Sequence, residues 1–449
     1  MPGKDGLTSG ILAQAEQPTF KEVVEWLSAC ISLPTDVEAK ARLLLLDTFG
    51  CLVSGLRHEQ VKAYAQALSA VFPGETAWPG SPHKLGPAGM AALGASAACW
   101  DEACEGNSAA HGRPGLPVVP AVLALASQSD AALDEVLLAL VTGYEIGVRA
   151  GELWRIPTGW HVDGSWHSLG VAAATARLFS GPDTIQAAIE ISACQIPASL
   201  YLPITQGSVA RNTYPSHAVL LGILSANAAK AGFQAPVGAL AEARHRVLRA
   251  DKDGHFASSG VWAILDGYLK PYAGVRHTHY AVEAALRVRR HSEFSYDKIK
   301  SIKLRTYGEA VQYCGNRAPE TIIQAQFSLS YAVAAALVFG DLGLDAYDDI
   351  GRDDVRRIEQ LIEIEVEPQR STRGAFLSVN VGALKLTAAV DAVLGDASLP
   401  LTEEHVVEKF IHYAEPAVGK SAAQAVARFI VHGHLNEPAK TCLQLAARL

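Results

Sequence analysis

The sequence predicts a mainly α protein: a large all-helical domain built from both chain ends, with a smaller α+β lid domain inserted between them. Three observations carry this. Alanine is abundant while aromatic residues make up only 7%, a balance that suits closely packed helices better than a β-sandwich. Apolar residues recur at three- and four-residue spacing through most of the first 265 positions. After Lys270 the spacing changes to alternation in short segments, and the helical pattern returns from Thr402. Residues 1–265 and 402–449 are therefore assigned to the helical domain and 266–401 to the lid, since 449 residues are too many for one compact core.

The elements follow in order. Thr35 and Glu38, just after Pro34, read as a capping box, and the helix they open runs through ARLLLLDTFGCLVSGL to a stop at Gly55. Its four consecutive leucines predict burial on more than one face. Asp134 and Glu135 open a second long helix, with Val136, Leu137, Leu140, Val141 and Tyr144 at helical spacing. Ala-rich helices are expected over 168–179, 184–195 and 216–232, and no strand before about residue 265. In the inserted unit Ile302, Leu304 and Thr306 alternate with polar residues, as do Ile362, Ile364 and Val366, and then Val379 and Val381. Helices at 280–291 and 325–339 lie among these strands. VVEKFIHYA and AAQAVARFIV then resume the helical pattern.

Several function classes lose their usual signatures. The formal net charge is −8 and no Lys/Arg cluster interleaves with aromatics, which argues against nucleic acid as a partner. The longest apolar stretch, Gly89 to Trp100, is too short to span a bilayer, so no membrane partner is expected. Residues 1–20 carry Lys4, Asp5 and Glu16 without an apolar core, so no signal peptide is visible. Seven cysteines without a CxxC pair read as reduced thiols, and a cytoplasmic location follows. GxGxxG after a strand, the P-loop, GxSxG and HExxH are all absent. Two H-x-H pairs, His277/His279 and His432/His434, each offer two metal ligands but have no third ligand nearby in sequence, so no metal site is expected.

Four segments are dense in His, Arg, Lys and acids between Ala/Gly-rich helices: 99–121, 159–170, 207–218 and 270–279. Buried cations are costly unless paired, so these segments either line a polar cleft or are satisfied internally. The same segments carry a family resemblance. EGNSAAHGRPGLPVVPAVLALA, GWHVDGSWHSLGVAAATARL, GSVARNTYPSHAVLLGILSANAAKAGFQAP, KPYAGVRHTHYAVEAAL and QAQFSLSYAVAAAL occur in this order, preceded by LLLLDTFGCLVSGL. In sequence and order they resemble the 2-methylcitrate dehydratase and cis-aconitate decarboxylase (MmgE/PrpD) family over nearly the whole chain. The resemblance implies an active site in the cleft between the helical domain and the lid. It also implies a homodimer, and chemistry on a small polycarboxylic acid without metal or organic cofactor.

The resemblance also implies roles for particular residues. Lys270 matches the family's active-site lysine and would pair with a substrate carboxylate; Arg211 matches a second cationic position, and its planar fork suits bidentate carboxylate binding. His161 is the leading general acid or base. Tyr214 and Ser216 contact substrate or cap the helix that starts near 216, His279 and Arg276 fall in the lid motif, and Tyr331 offers a phenol. Two departures stand out. The family's acidic segment reads Cys99-Trp100-Asp101-Glu102-Ala103-Cys104 here, which places Glu102 at the first aspartate, with Asp101 as its substitute if the loop shifts by one residue. The family's histidine downstream is Arg113, while His111 stands two residues earlier; arginine binds carboxylates but does not exchange protons at neutral pH.

The leading expectation is therefore a lyase that dehydrates a 2-methylcitrate-like hydroxy acid by abstracting a proton beside a carboxylate. Decarboxylation of a cis-aconitate type of acid, or epimerisation of a related dicarboxylate, is the alternative within the family. A catalytically silent polycarboxylate-binding protein is the alternative of another class.

Overall fold

The computed structural model describes residues 19–251 and 254–447; the segment bearing Lys4, Asp5 and Glu16 lies outside the described residues. The helix Thr35–Gly55 is the hub of the helical core. Leu44, Leu45 and Leu46 are all at most 2% exposed, so neighbours surround it on several faces, as four consecutive leucines require. It packs against Pro87–Trp100 on one side and against Glu403–Val418 on another, which joins the two ends of the chain. Phe49 meets Phe410 with ring centroids 6.0 Å apart, and Arg42 donates to the carbonyls of Ile430 (2.8 Å) and Gly433 (3.2 Å).

Both ends of this helix differ from expectation. Pro34 occupies the N-cap and no side chain caps the helix, because Thr35 is already its first helical residue. Glu38 instead accepts from Arg42 Nε at 2.8 Å, one turn along. Gly55 does close the helix, but for steric reasons: a Cβ there would come within 2.0 Å of the Ala97 carbonyl oxygen on the crossing helix. The same logic recurs where Leu133–Leu153 crosses His167–Phe179, since a Cβ on Gly143 would lie 2.6 Å from Gly170 O. Small residues let these backbones approach, and this explains the Ala/Gly-rich composition in physical terms. Ile185–Ala193 and Tyr214–Lys230 complete the expected helices of this layer.

The inserted region carries a four-stranded sheet in the order Ile362–Val366, Ile299–Thr306, Ala375–Val381, Leu384–Val390. The first pair is parallel, with Leu304 opposite Ile364, and the other two are antiparallel, with Leu304 opposite Leu377. The edge strand Leu384–Val390 was not expected, because only Leu386 and Val390 of LKLTAAV are buried and the alternation is weak. The helix His279–Arg289 covers the last two strands. The helix expected over 325–339 is two helices, Ile322–Gln326 and Leu329–Phe339, because Ser328 breaks out to cap the second, accepting from Tyr331 N at 3.1 Å. Contrary to expectation, strand pairs also form before residue 265. Gly106–Asn107 pairs with Gly267–Tyr268, and Trp160–His161 with Ser199–Leu200. Two-residue ladders leave no alternation to read.

Glu105 closes the first of these loops onto the helix Gly115–Ala126. Its Oε1 accepts from Gly115 N (2.8 Å) and Leu116 N (3.1 Å), while Oε2 has no partner among the described residues. Burial pushes this carboxyl up to about 8, against the pull of Arg113 and of those two amides. Its folded value is above its unfolded one, so folding is favoured by protonation, and stability is lost as pH rises from the unfolded value towards 8. Glu105→Gln is expected to match the native chain near pH 5 and to exceed it by roughly 3–5 kcal/mol near pH 8 in urea denaturation. A difference that does not grow with pH would show that the carboxyl is ionised at neutrality.

Candidate active site

The two short ladders draw the motif loops together. Pairing Asn107 with Gly267 brings the 101–114 loop beside Lys270, and pairing His161 with Ser199 brings the 159–166 loop beside Tyr201 and the Arg211 turn. Between them lies a cavity of about 190 Å³, with Glu102, Arg113, His161, Asp163, Arg211 and Lys270 among its lining. Lys409, from the C-terminal half of the chain, braces this floor. Its ammonium donates to Asp47 Oδ1 (2.6 Å), Ala103 O (2.7 Å) and Lys270 O (2.9 Å).

Glu102 is the centre of the floor. Lys270 Nζ donates to its Oε1 at 2.9 Å, Arg113 Nη1 lies 3.2 Å from Oε2, and Arg211 Nη2 donates to the same oxygen. Lys270 also donates to the Glu102 carbonyl at 2.8 Å, and Gly274 N donates to it at 3.2 Å. Glu102 has φ +50°, a left-handed conformation that costs a non-glycine residue energy unless its surroundings fix it. Burial alone would raise this carboxyl, but Arg113, Arg211 and Lys270 outweigh it and hold the group well below the usual carboxylate range. Glu102 is therefore ionised and fully engaged.

Arg113 and Arg211 also carry the two cysteines of the departed motif. Arg113 Nη2 lies 3.2 Å from Cys99 Sγ and Nη1 3.6 Å from Cys104 Sγ; Arg211 Nη1 lies 2.8 Å from Cys99 Sγ. Burial pushes both thiols up, Cys104 to about 12, so neutral thiols pack against the guanidinium groups. Arg113 Nη2 donates in addition to Asp163 Oδ2. Burial would raise Asp163, but Arg113 above all holds it strongly down.

His161 is oriented by a single backbone bond. The Asp163 amide donates to His161 Nδ1 at 3.0 Å, so Nδ1 carries the lone pair and the ring proton resides on Nε2, which has no partner among the described residues. The ring stacks beside Tyr201, with centroids 5.9 Å apart. Burial is the main cause that lowers His161 to about 4; Asp163 opposes the shift, and Arg211 and Arg113 add to it. The imidazole is neutral at physiological pH.

Seven of the residues singled out in the sequence line this cavity: Glu102, His111, Arg113, His161, Arg211, Lys270 and Arg276. His111 is exposed at the rim, and Arg276 is held by Asp396 and faces the Tyr268 ring at 4.7 Å. Five others have different partners. Asp101 turns away to accept from Ser54 Oγ and to pair with His58 Nε2, both at 2.7 Å. Ser216 donates to Ala92 O (2.6 Å) and Tyr214 to Leu200 O (3.0 Å). His279 sits between Arg276 Nη1 (3.1 Å) and Gly274 O (3.2 Å), and the buried Tyr331 donates to Ala346 O. These groups are spent on structure. Asp163, Arg155, His277 and Arg373 also line the cavity and were not singled out for it. Asp163 stood two residues from His161 in the quoted motif, whereas Arg373 lies in a loop without any motif. His277 and His279 point to different surroundings, His432 pairs with Glu403 at 3.1 Å, and no His/Cys/Asp/Glu cluster among the described residues is arranged to hold a metal ion. Nor is any described helix long and apolar enough to cross a membrane.

A clamped carboxylate, a cationic floor and one oriented imidazole, set between Ala-rich helices and a small mixed sheet, define a mainly α protein with a cation-lined cleft. Residues 26–255 match the MmgE/PrpD N-terminal domain and residues 272–432 the MmgE/PrpD C-terminal domain, and the chain belongs to that family. A cis-aconitate decarboxylase from Aspergillus terreus is 24% identical over 461 residues, which cover 92% of this chain and 93% of that protein. A second cis-aconitate decarboxylase, from Aspergillus terreus strain NIH 2624 / FGSC A1156, is 26% identical over 362 residues, 73% of each chain.

Removing the charge of Glu102 would leave three cations crowded in a buried site. Glu102→Gln is expected to lower stability by about 3–5 kcal/mol in urea denaturation, with part of the loss restored by added small carboxylates. A loss below about 1 kcal/mol would contradict a tightly formed cluster.

Proposed function

We propose that the chain is a lyase acting on a small polycarboxylic acid, and that decarboxylation is the reaction its geometry supports best. One observation carries the choice. The amide bond to Nδ1 leaves His161 with a proton on Nε2 and no free lone pair, so the imidazole is set to deliver a proton rather than to take one. In the proposed step the bond between a carboxylate carbon and its neighbour breaks, carbon dioxide leaves, and the electron pair spreads towards a retained carboxylate. Lys270 and Arg211 stabilise that charge. His161 Nε2 then gives its proton to carbon and is reprotonated by water. A neutral imidazole is a weak acid, but a carbanion is a far stronger base, and the cationic Arg211 and Arg113 nearby offset the negative charge left on the ring until water reprotonates it.

Dehydration is the second reading, and the family supports it equally. It needs a base at carbon and an acid at the leaving hydroxyl, whereas Glu102 is held by three cations. Epimerisation needs proton traffic on both faces of one carbon, and a silent binding protein would have no use for the oriented imidazole. We further propose, on the family resemblance, that residues 266–401 act as a lid over the cavity, that the protein is a homodimer and that no metal or organic cofactor takes part, and, on its cysteine usage, that it is cytoplasmic.

With cis-aconitate as the first substrate to test, His161→Ala is expected to lower kcat by roughly 10²–10⁴ with a much smaller change in KM. Because His161 protonates only near 4, its contribution to the rate should be flat from about pH 5.5 to 8 and fall towards pH 4, where protonation of Nδ1 breaks the bond from the Asp163 amide. An unchanged kcat, or a rate inflection near 6.5 that His161→Ala removes, would overturn this role.

A further inference from the structure

The charges around the cavity are not spread evenly. On the buried floor, Arg113, Arg211 and Lys270 face Glu102 and Asp163, which leaves one positive charge in excess. At the rim, Arg276 is taken up by Asp396, Arg155 has Glu152 and Glu309 as carboxylate neighbours, and Arg373 has Glu309. No carboxylate among the described residues comes within 4 Å of Arg155 or Arg373. In a chain of net charge −8, arginines at a cavity mouth with no ion-pair partner within 4 Å mark a place kept for an anion.

Arg373 is the better placed of the two. It precedes the strand Ala375–Val381, on the sheet-bearing side, and reaches across to Ser108 in the loop after Gly106–Asn107, donating from Nη1 to Ser108 Oγ at 3.1 Å. It is half-buried, so its guanidinium is partly desolvated and an ion pair there is worth more than on open surface. Its neighbours Tyr268, Tyr280 and Tyr307 present phenols to it, with burial holding those phenols in the neutral form. Arg155 is more exposed and already donates to Ala109 O at 2.9 Å.

We propose that Arg373 is the anchor for a second carboxylate of the substrate, which sets one carboxylate on the floor beside Lys270 and Arg211 and another at the rim. This rests on the polycarboxylate reading above and deepens it by assigning the rim subsite to one residue. Bidentate pairing would let Arg373 select on the distance between the two acid groups as well as on charge.

The test is calorimetric titration of the purified full chain with succinate, butyrate and propane-1,2,3-tricarboxylate. Succinate and the tricarboxylate are each expected to bind at least tenfold tighter than butyrate. Arg373→Gln should weaken succinate about tenfold to a hundredfold and leave butyrate unchanged, and Arg373→Lys should fall between, while the melting temperature of each unliganded variant stays at the native value. Undiminished succinate binding in Arg373→Gln would overturn the anchor. Succinate bound no tighter than butyrate, with the tricarboxylate tighter than either, would overturn the anchor and leave the polycarboxylate reading standing. Absence of binding by all three acids would overturn both.

Discussion

The site depends on one buried interaction, the Glu102 carboxylate held between Lys270, Arg113 and Arg211. Each partner arrives from a different stretch of chain: Arg113 from the same loop, Arg211 from the turn before Tyr214–Lys230, and Lys270 from the start of the sheet-bearing region. Desolvating four charges is expensive, and a cluster of this kind is stable only when the geometry satisfies nearly all of their hydrogen bonds. Several features of the fold are best understood as supplying that geometry. The left-handed backbone at Glu102, the brace from Lys409 and the ladder between Asn107 and Gly267 all fix where the carboxylate stands.

The cluster also bears on the proposed chemistry. An acid held by three cations is a poor base, so in the proposed reaction Glu102, which the resemblance sets at the family's first aspartate, positions cations and sets their net charge. Replacement of a family histidine by Arg113 has the same sense: it exchanges a group that moves protons for one that fixes Asp163 and, through the Asp163 backbone, the orientation of His161. In the proposed reaction the proton is moved by the Nε2 side of His161. The two substitutions that make this member divergent are thus coupled, since Arg113 contacts the carboxylates on both sides and both cysteines between them.

Much of this was legible in the sequence. Helical spacing gave the core helices, and alternation gave three of the four sheet strands. Motif order brought together Glu102, Arg113, His161, Arg211 and Lys270. What escaped has identifiable causes. The edge strand Leu384–Val390 is too exposed to alternate, and the two-residue ladders are too short for any periodicity. Thr35 failed as a cap because Pro34 already held that position. Asp101, Ser216, His279 and Tyr331 carry reactive groups in the right segments, but hydrogen bonds along other directions commit each of them to the fold, and direction is invisible in a linear motif. Arg373 and Arg155 reach the cavity from loops outside the quoted motifs.

The central claim is that this centre delivers a proton to carbon after a carboxylate is lost. Proton NMR in deuterium oxide tests it most directly, with the purified chain incubated in turn with cis-aconitate, methylcitrate, citrate, iminodisuccinate and substituted succinates. The account predicts release of carbon dioxide from one of these acids, with a single solvent deuterium placed on the carbon that takes up the electron pair. Loss of water, or deuterium exchange at carbon with every carboxylate retained, would contradict it and return the assignment to dehydration or epimerisation.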